Sequence, residues 1–212
     1  MQAIVAILCA LLISGCAMVK SNVAVFHELP IRAEPVKYAV LPLKEQEGSL
    51  EYKAYAQQIK NELNKKGFAE APVSEAEVVL FFEYGIDSGK EVVSSYPIIG
   101  QTGTSSSYTS GTLNTYGSYA TYSGTTYNTP TYGVVGTGTR SDTVFSRYLR
   151  VDLLDRAELS GGKIKKVYEA QVTSAGSKGQ IAAVMPTMIK ALFEDFPGKS
   201  GSTRCTILPA ER

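Results

Sequence analysis

The sequence predicts an α/β domain of the α+β type: a two-layer sandwich whose mixed, mostly antiparallel sheet carries two helices on one face. Three observations lead there. Residues 77–86, EVVLFFEYGI, are apolar on both alternations, the pattern of a central strand. Residues 49–66 and 181–196 repeat apolar side chains at spacings of three and four, the stripe of a half-buried helix. Shorter alternating runs at 36–43, 144–154, 165–174 and 203–208 read as further strands. Two helices packed on one sheet bury all of these surfaces economically.

Taken in order, residues 16–35 are expected to be a lipidated tether and an entry strand, with breaks at Pro30 and Pro35. The globular domain should span 36–212. VKYAVLPL, from Val36 to Leu43, is its first strand. Ser49 can cap a helix that runs to about Lys66, with Tyr52, Tyr55, Ala56, Ile59 and Leu63 on its apolar stripe. Lys65 and Lys66 suit its negative end, and Gly67 is a natural stop. In the run after residue 143, Phe145, Leu149, Val151 and Leu153 point one way. Ser160-Gly-Gly-Lys163 should be a hairpin turn, returning as the strand Lys165–Ser174. Ile181, Val184, Met185, Met188, Ile189, Leu192, Phe193 and Phe196 form the second helical stripe. Pro186 lies inside it, so this helix starts late or kinks. Pro197-Gly198 ends it, and Thr203–Leu208 is a last short strand. Leu80, Phe82, Leu149, Val151, Ile189 and Phe193 should therefore be buried together.

YAVLP, QQIKNELNKKGF, EAEVVLFFEYGI, RYLRVDLLD, GKIKKVYEAQVTS and MIKALFEDFP together resemble the bacterial envelope lipoproteins grouped as domain-of-unknown-function family 4136. The resemblance covers roughly Val36 to Pro197 and skips the stretch between the second strand and residue 140. The chain departs from it in having no tryptophan; Val40 and Tyr168 stand where members often carry one. The resemblance implies a periplasm-facing lipoprotein and supplies no reaction.

The N-terminus, MQAIVAILCALLISGCAMVK, points the same way. Ala3 to Ile13 holds no charge and no helix breaker. As a helix it would rise roughly 16 Å, well short of the ~30 Å hydrocarbon core, so it fits a signal peptide better than a membrane span. Ile13-Ser-Gly-Cys16 resembles the lipobox of bacterial lipoproteins. That resemblance implies cleavage between Gly15 and Cys16, removal of residues 1–15, and lipidation of Cys16 by diacylglyceryl and acyl groups. Small side chains at Ser14 and Gly15 would fit a peptidase cleft, and a thiol is the soft nucleophile that can be alkylated. Two or more acyl chains anchor stably where one does not. Ala17, rather than Asp, after the cysteine favours the outer membrane by the family's sorting rule. The expected location is the cell envelope, facing the periplasm.

Composition removes several function classes. The net charge of +1 offers nucleic acid no basic surface. Cys9 leaves with the signal and Cys16 is lipidated, so Cys205 has no partner for a disulfide; its place in TRCTILP suggests a buried thiol. His27 is the one histidine, too few nitrogen or sulfur ligands remain for zinc, and no cofactor motif occurs. Gly198-Lys-Ser200 lacks the upstream glycine and leading strand of a phosphate loop. No catalytic residue is expected.

Residues 92–139 differ from everything around them. None of these 48 residues is charged, in a chain that is 19% charged. The stretch holds seven of the thirteen tyrosines, set among Ser, Thr, Gly and Asn. A flexible polar loop, a binding surface and a self-associating segment all fit this composition. Tyr108, Tyr116, Tyr119, Tyr122, Tyr127 and Tyr132 are the candidate binding residues, because tyrosine offers broad amphipathic contact at small entropy cost. The functional expectation is a non-enzymatic lipoprotein that meets an envelope protein or polymer. The alternative is a periplasm-facing hydrolase whose site assembles only in the fold.

Overall fold

The computed structural model describes residues 18–29 and 34–210; Gly15 and Cys16 lie outside them. The strands are β1 (Met18–His27), β2 (Lys37–Val40), β3 (Ala69–Glu70), β4 (Val78–Ile86), β5 (Lys90–Tyr116), β6 (Tyr119–Asp155), β7 (Lys166–Gly176) and β8 (Ser202–Pro209). The α-helices are α1 (Leu50–Lys65), α2 (Arg156–Ser160) and α3 (Met185–Phe193). The chain divides into two compact units, residues 1–90 with 143–212, and residues 91–142.

In the larger unit the sheet order is β3-β2-β4-β6-β7-β1-β8. β2 runs parallel to both β3 and β4, and the remaining pairs on that path are antiparallel. The mixed sheet with few helices matches the sequence expectation. The expected entry strand is β1, and it is an interior strand of the sheet. β1 lies between β7 and β8, with Val23 opposite Val172 on one side and Arg204 on the other. Its side chains alternate: Val19, Ser21, Val23 and Val25 are buried and the residues between them are not.

Local chemistry sets the helix ends. The Ser49 hydroxyl accepts the Tyr52 N–H at 3.1 Å, which satisfies one of the open donors at the start of α1. Tyr52, Tyr55, Ala56, Ile59 and Leu63 are its buried stripe. Gly67 follows at φ +85°, where a Cβ would be strained. Pro186 sits in the first turn of α3, so that helix starts late and does not kink. The expected hairpin turn lies at Gly161-Gly162 and β7 returns antiparallel to β6, but a short helix precedes the turn. Asp155 accepts the N–H groups of Ala157 at 2.9 Å and Glu158 at 3.3 Å and so caps α2, one short helix between β6 and β7.

Leu80, Phe82, Leu149, Val151, Ile189 and Phe193 are each at most 2% exposed and belong to one core cluster. The thiol of Cys205 is exposed, against expectation. In β8 the buried neighbour is Thr206, so the alternation runs one residue out of phase with the sequence reading, and a one-residue shift exchanges the faces of a strand.

Core tyrosines make the fold sensitive to alkali. Burial pushes Tyr38 up to about 12, with Glu70 adding to it. Burial does the same for Tyr52, also to about 12. Tyr55, beside Glu51, and Tyr168 are raised further. An unfolded tyrosine ionises near ~10. Each folded value lies above that, so the unfolded chain binds fewer protons once the pH passes ~10. Stability is expected to be unaffected by these groups below pH ~10 and to fall steadily from there through about 12. Melting followed by circular dichroism across that range checks it; a flat profile would contradict the buried placement.

Candidate functional site

The uncharged stretch is not a loop. Apart from the turn at Gly117-Ser118, residues 90–155 lie in two strands, and β5 pairs with β6. Gly117 has φ +61°, which a two-residue hairpin turn requires and glycine supplies without strain. Threonine and tyrosine favour extended backbone, and the antiparallel partner satisfies the peptide groups that a loop would leave to water.

Within the smaller unit the two strands meet through matched small polar side chains. The Ser107 hydroxyl donates to the side-chain amide oxygen of Asn128 at 2.6 Å, and the Ser106 hydroxyl to the Thr129 hydroxyl at 3.2 Å. The hydroxyls of Thr109 and Thr126 are 2.8 Å apart, and those of Thr102 and Thr131 3.3 Å. Large side chains of one strand cover glycines of the other. A Cβ on Gly111 would lie 2.6 Å from the Tyr122 ring, one on Gly100 2.7 Å from Val135, and one on Gly138 2.5 Å from the Tyr96 ring. These glycines make room for their neighbours across the ladder.

All six candidate tyrosines are exposed, from 59% at Tyr122 to 79% at Tyr119. Tyr116 and Tyr119 flank the turn. Exposed beside them on the two strands are Ile98, Ile99, Leu113, Val134 and Val135. Both strand edges carry peptide groups with no charged side chain near them from Val92 to Thr139. Such a ribbon can take an added strand or lay its rings against an apolar or sugar face.

The larger unit holds a cleft of about 590 Å³ lined by Lys20, Asn22, Asp87, Ser146, Arg147, Tyr148, Thr173 and Ser174, among others. Sequence reading missed its two central charges. Arg147 is 3% exposed, and its Nη2 donates to the carbonyls of Gly176 at 2.8 Å and Lys178 at 2.6 Å. Asp87 accepts the N–H groups of Ser146 at 2.9 Å and Gly89 at 3.0 Å. Those bonds, with Arg147 nearby, hold its carboxyl below the ordinary carboxylate range. Both groups thus bind backbone and hold the ends of β4 and β7 against the middle of β6. A buried arginine among apolar neighbours gives a sequence no periodic signal, because it occupies a position the pattern reserves for a hydrophobe.

His27 is structural in its contacts. Its Nε2 lies 3.0 Å from the Gly198 carbonyl, and its Nδ1 can accept the Leu29 N–H at 3.4 Å. Its own N–H donates to the Ser200 hydroxyl at 2.9 Å, so the rejected phosphate-loop mimic serves to pin β1. Among the described residues no group of three or more His, Cys, Asp or Glu is placed to hold a metal, and no helix is long and apolar enough to cross a membrane.

A family model described as "Domain of unknown function (DUF4136)" matches residues 34–198. No curated protein matches the sequence. Among solved structures the chain is similar to a PDZ domain protein from Parabacteroides distasonis, at 9% identity and a TM-score of 0.45. That similarity covers 97% of this chain and 42% of the other, so this chain spans less than half of that protein.

Proposed function

The chain belongs to the DUF4136 family, whose description names no reaction, and from that premise we propose a lipid-anchored envelope protein that binds a protein or polymer partner through the β5–β6 hairpin. The observation that carries this is the hairpin itself: 48 uncharged residues, in two strands and the turn between them, whose tyrosines, isoleucines and valines are exposed. Isolated two-stranded hairpins are marginal in water, and exposed apolar surface marks interaction sites. The reading takes both longer helices to cover one face of the sheet, on the support that Ile59, Leu63, Met188 and Leu192 share a core with Val23, Leu149 and Val172. A hydrolase is the weaker reading, because the charged pair in the 590 Å³ cleft is engaged with backbone.

Lipid on Cys16, with the protein at the outer membrane facing the periplasm, is supported by the lipobox-like ISGC and by Ala17. Cys16→Ala should abolish metabolic lipid labelling and leave the precursor uncut; mass spectrometry showing an unmodified N-terminal cysteine in the native protein would overturn the anchor. The partner surface is tested by a photocrosslinking side chain placed at Tyr127, or at exposed Lys53 on α1, in intact envelopes. Adducts from Tyr127 and none from Lys53 are expected. The reverse pattern would move the binding surface off the hairpin.

A further inference from the structure

We infer that the partner the β5 edge is built to take is the β5 edge of a second copy of this chain, paired antiparallel so that two hairpins form one four-stranded sheet. This rests on the hairpin being the interaction element.

The edge carries no charge to block pairing. Natural sheets block edge pairing with charged side chains, above all lysine. From Val92 to Thr139 there is none, so two identical edges meet without like-charge repulsion. A partner of opposite charge would find nothing on this ribbon to match. The boundary between β5 and β6 is itself self-complementary. Ser106 with Thr129, Ser107 with Asn128 and Thr109 with Thr126 already bond hydroxyl to hydroxyl or amide across β5 and β6. That chemistry is complementary to itself, and a third strand of the same composition continues it. The glycines do not interrupt it: Val135 lies over Gly100 and Tyr122 over Gly111, so those gaps are filled from within the hairpin.

Proline selects which edge pairs. A strand proline lacks the N–H that a ladder needs. Each strand carries one proline in the uncharged stretch, Pro97 near the start of β5 and Pro130 near the middle of the hairpin part of β6, so β5 keeps the longer run without proline or charge, 19 residues from Ile98 to Tyr116. At ~3.4 Å per residue that edge is ~65 Å long; a strip about two strand spacings wide along it covers roughly 650 Å² on each chain. A stable interface of standard size buries about 800 Å² per partner, so this one edge supplies most of that area.

The test uses the full-length chain, purified in detergent, with mass read by sedimentation velocity over a hundredfold range of concentration. The wild type should pass from monomer to dimer. Thr104→Lys with Thr112→Lys, exposed positions on β5, should weaken dimerisation at least tenfold, and so should Thr104→Glu with Thr112→Glu. Mixing the lysine and glutamate forms should restore dimers, which no loss of folding can do. Circular dichroism melting separates association from the integrity of the core. A wild type that stays monomeric throughout, or a mixture that associates no better than its components, overturns self-pairing. Photocrosslinked adducts at Tyr127 to a different molecule, from a protein that sediments only as monomer, would leave the hairpin as the binding element and discard this inference alone.

Discussion

Replacing Phe82 with alanine is expected to destabilise the protein by ~3–5 kcal/mol. Its ring is 2% exposed. It stacks on Tyr52 of α1 with centroids 4.6 Å apart and planes 8° from parallel, and lies 6.0 Å from Tyr84. Removing it opens a cavity beneath α1 that the rigid sheet cannot close, since Leu80 and Leu149 around it are themselves fully packed. Phe193→Ala should act similarly at the other helix. That ring is also 2% exposed and packs 5.2 Å from Phe196, which in turn contacts Tyr168 at 5.0 Å and Phe68 at 5.6 Å. A domain's whole stability is ~5–15 kcal/mol, so the double variant should be largely unfolded at ambient temperature. Phe26→Ala is the control: that ring is 61% exposed, and its loss should change stability by no more than ~0.5 kcal/mol. Denaturant titration checks all three, and unchanged midpoints for Phe82→Ala and Phe193→Ala would contradict the core described here.

The parts of this fold that were legible in the sequence are those whose signals are local. Ser49 and Gly67 bound α1 because a hydroxyl cap and a residue tolerant of positive φ are what the two helix ends need. The core stripes were legible because 3.6 and 2 are the only periods that bury one face. What escaped was set by tertiary context. Asp155 is an ordinary polar residue until the backbone of α2 turns back on it. Cys205 was assigned to the wrong face because β8 is too short and mixed for its alternation to fix the phase. Arg147 occupies an inward position between Phe145 and Leu149, and only the carbonyls of Gly176 and Lys178 make that tolerable. The hairpin was the largest omission. Its polar and apolar side chains fall on both alternations, so it has no hydrophobic period; Gly117-Ser118 was its one turn signal, lost among nineteen glycines. Its tyrosines stood out from composition alone, and the structure leaves all six candidates exposed.

Shortening the hairpin is expected to separate folding from function. The core cluster draws no residue from 91–142, and those residues form a unit of their own. β4 and β6 pair from Val78 with Asp155 to Ile86 with Arg147, wholly outside it. Loop-closure entropy changes by only ~0.6 kcal/mol per doubling of length. Exchanging Gln101–Thr131 for a short Gly-Ser linker should therefore alter stability by about 1 kcal/mol, read as a nearly unchanged melting temperature. The exposed rings at 108, 116, 119, 122 and 127 would all be gone. The decisive measurement is capture of the full chain and the shortened chain from chemically crosslinked envelopes, side by side. The account predicts a shortened chain that is folded, reaches the same location, and has lost the adducts the full chain makes. A shortened chain that keeps every adduct would show the hairpin to be a passive insertion, and one that fails to fold would show it to be part of the core.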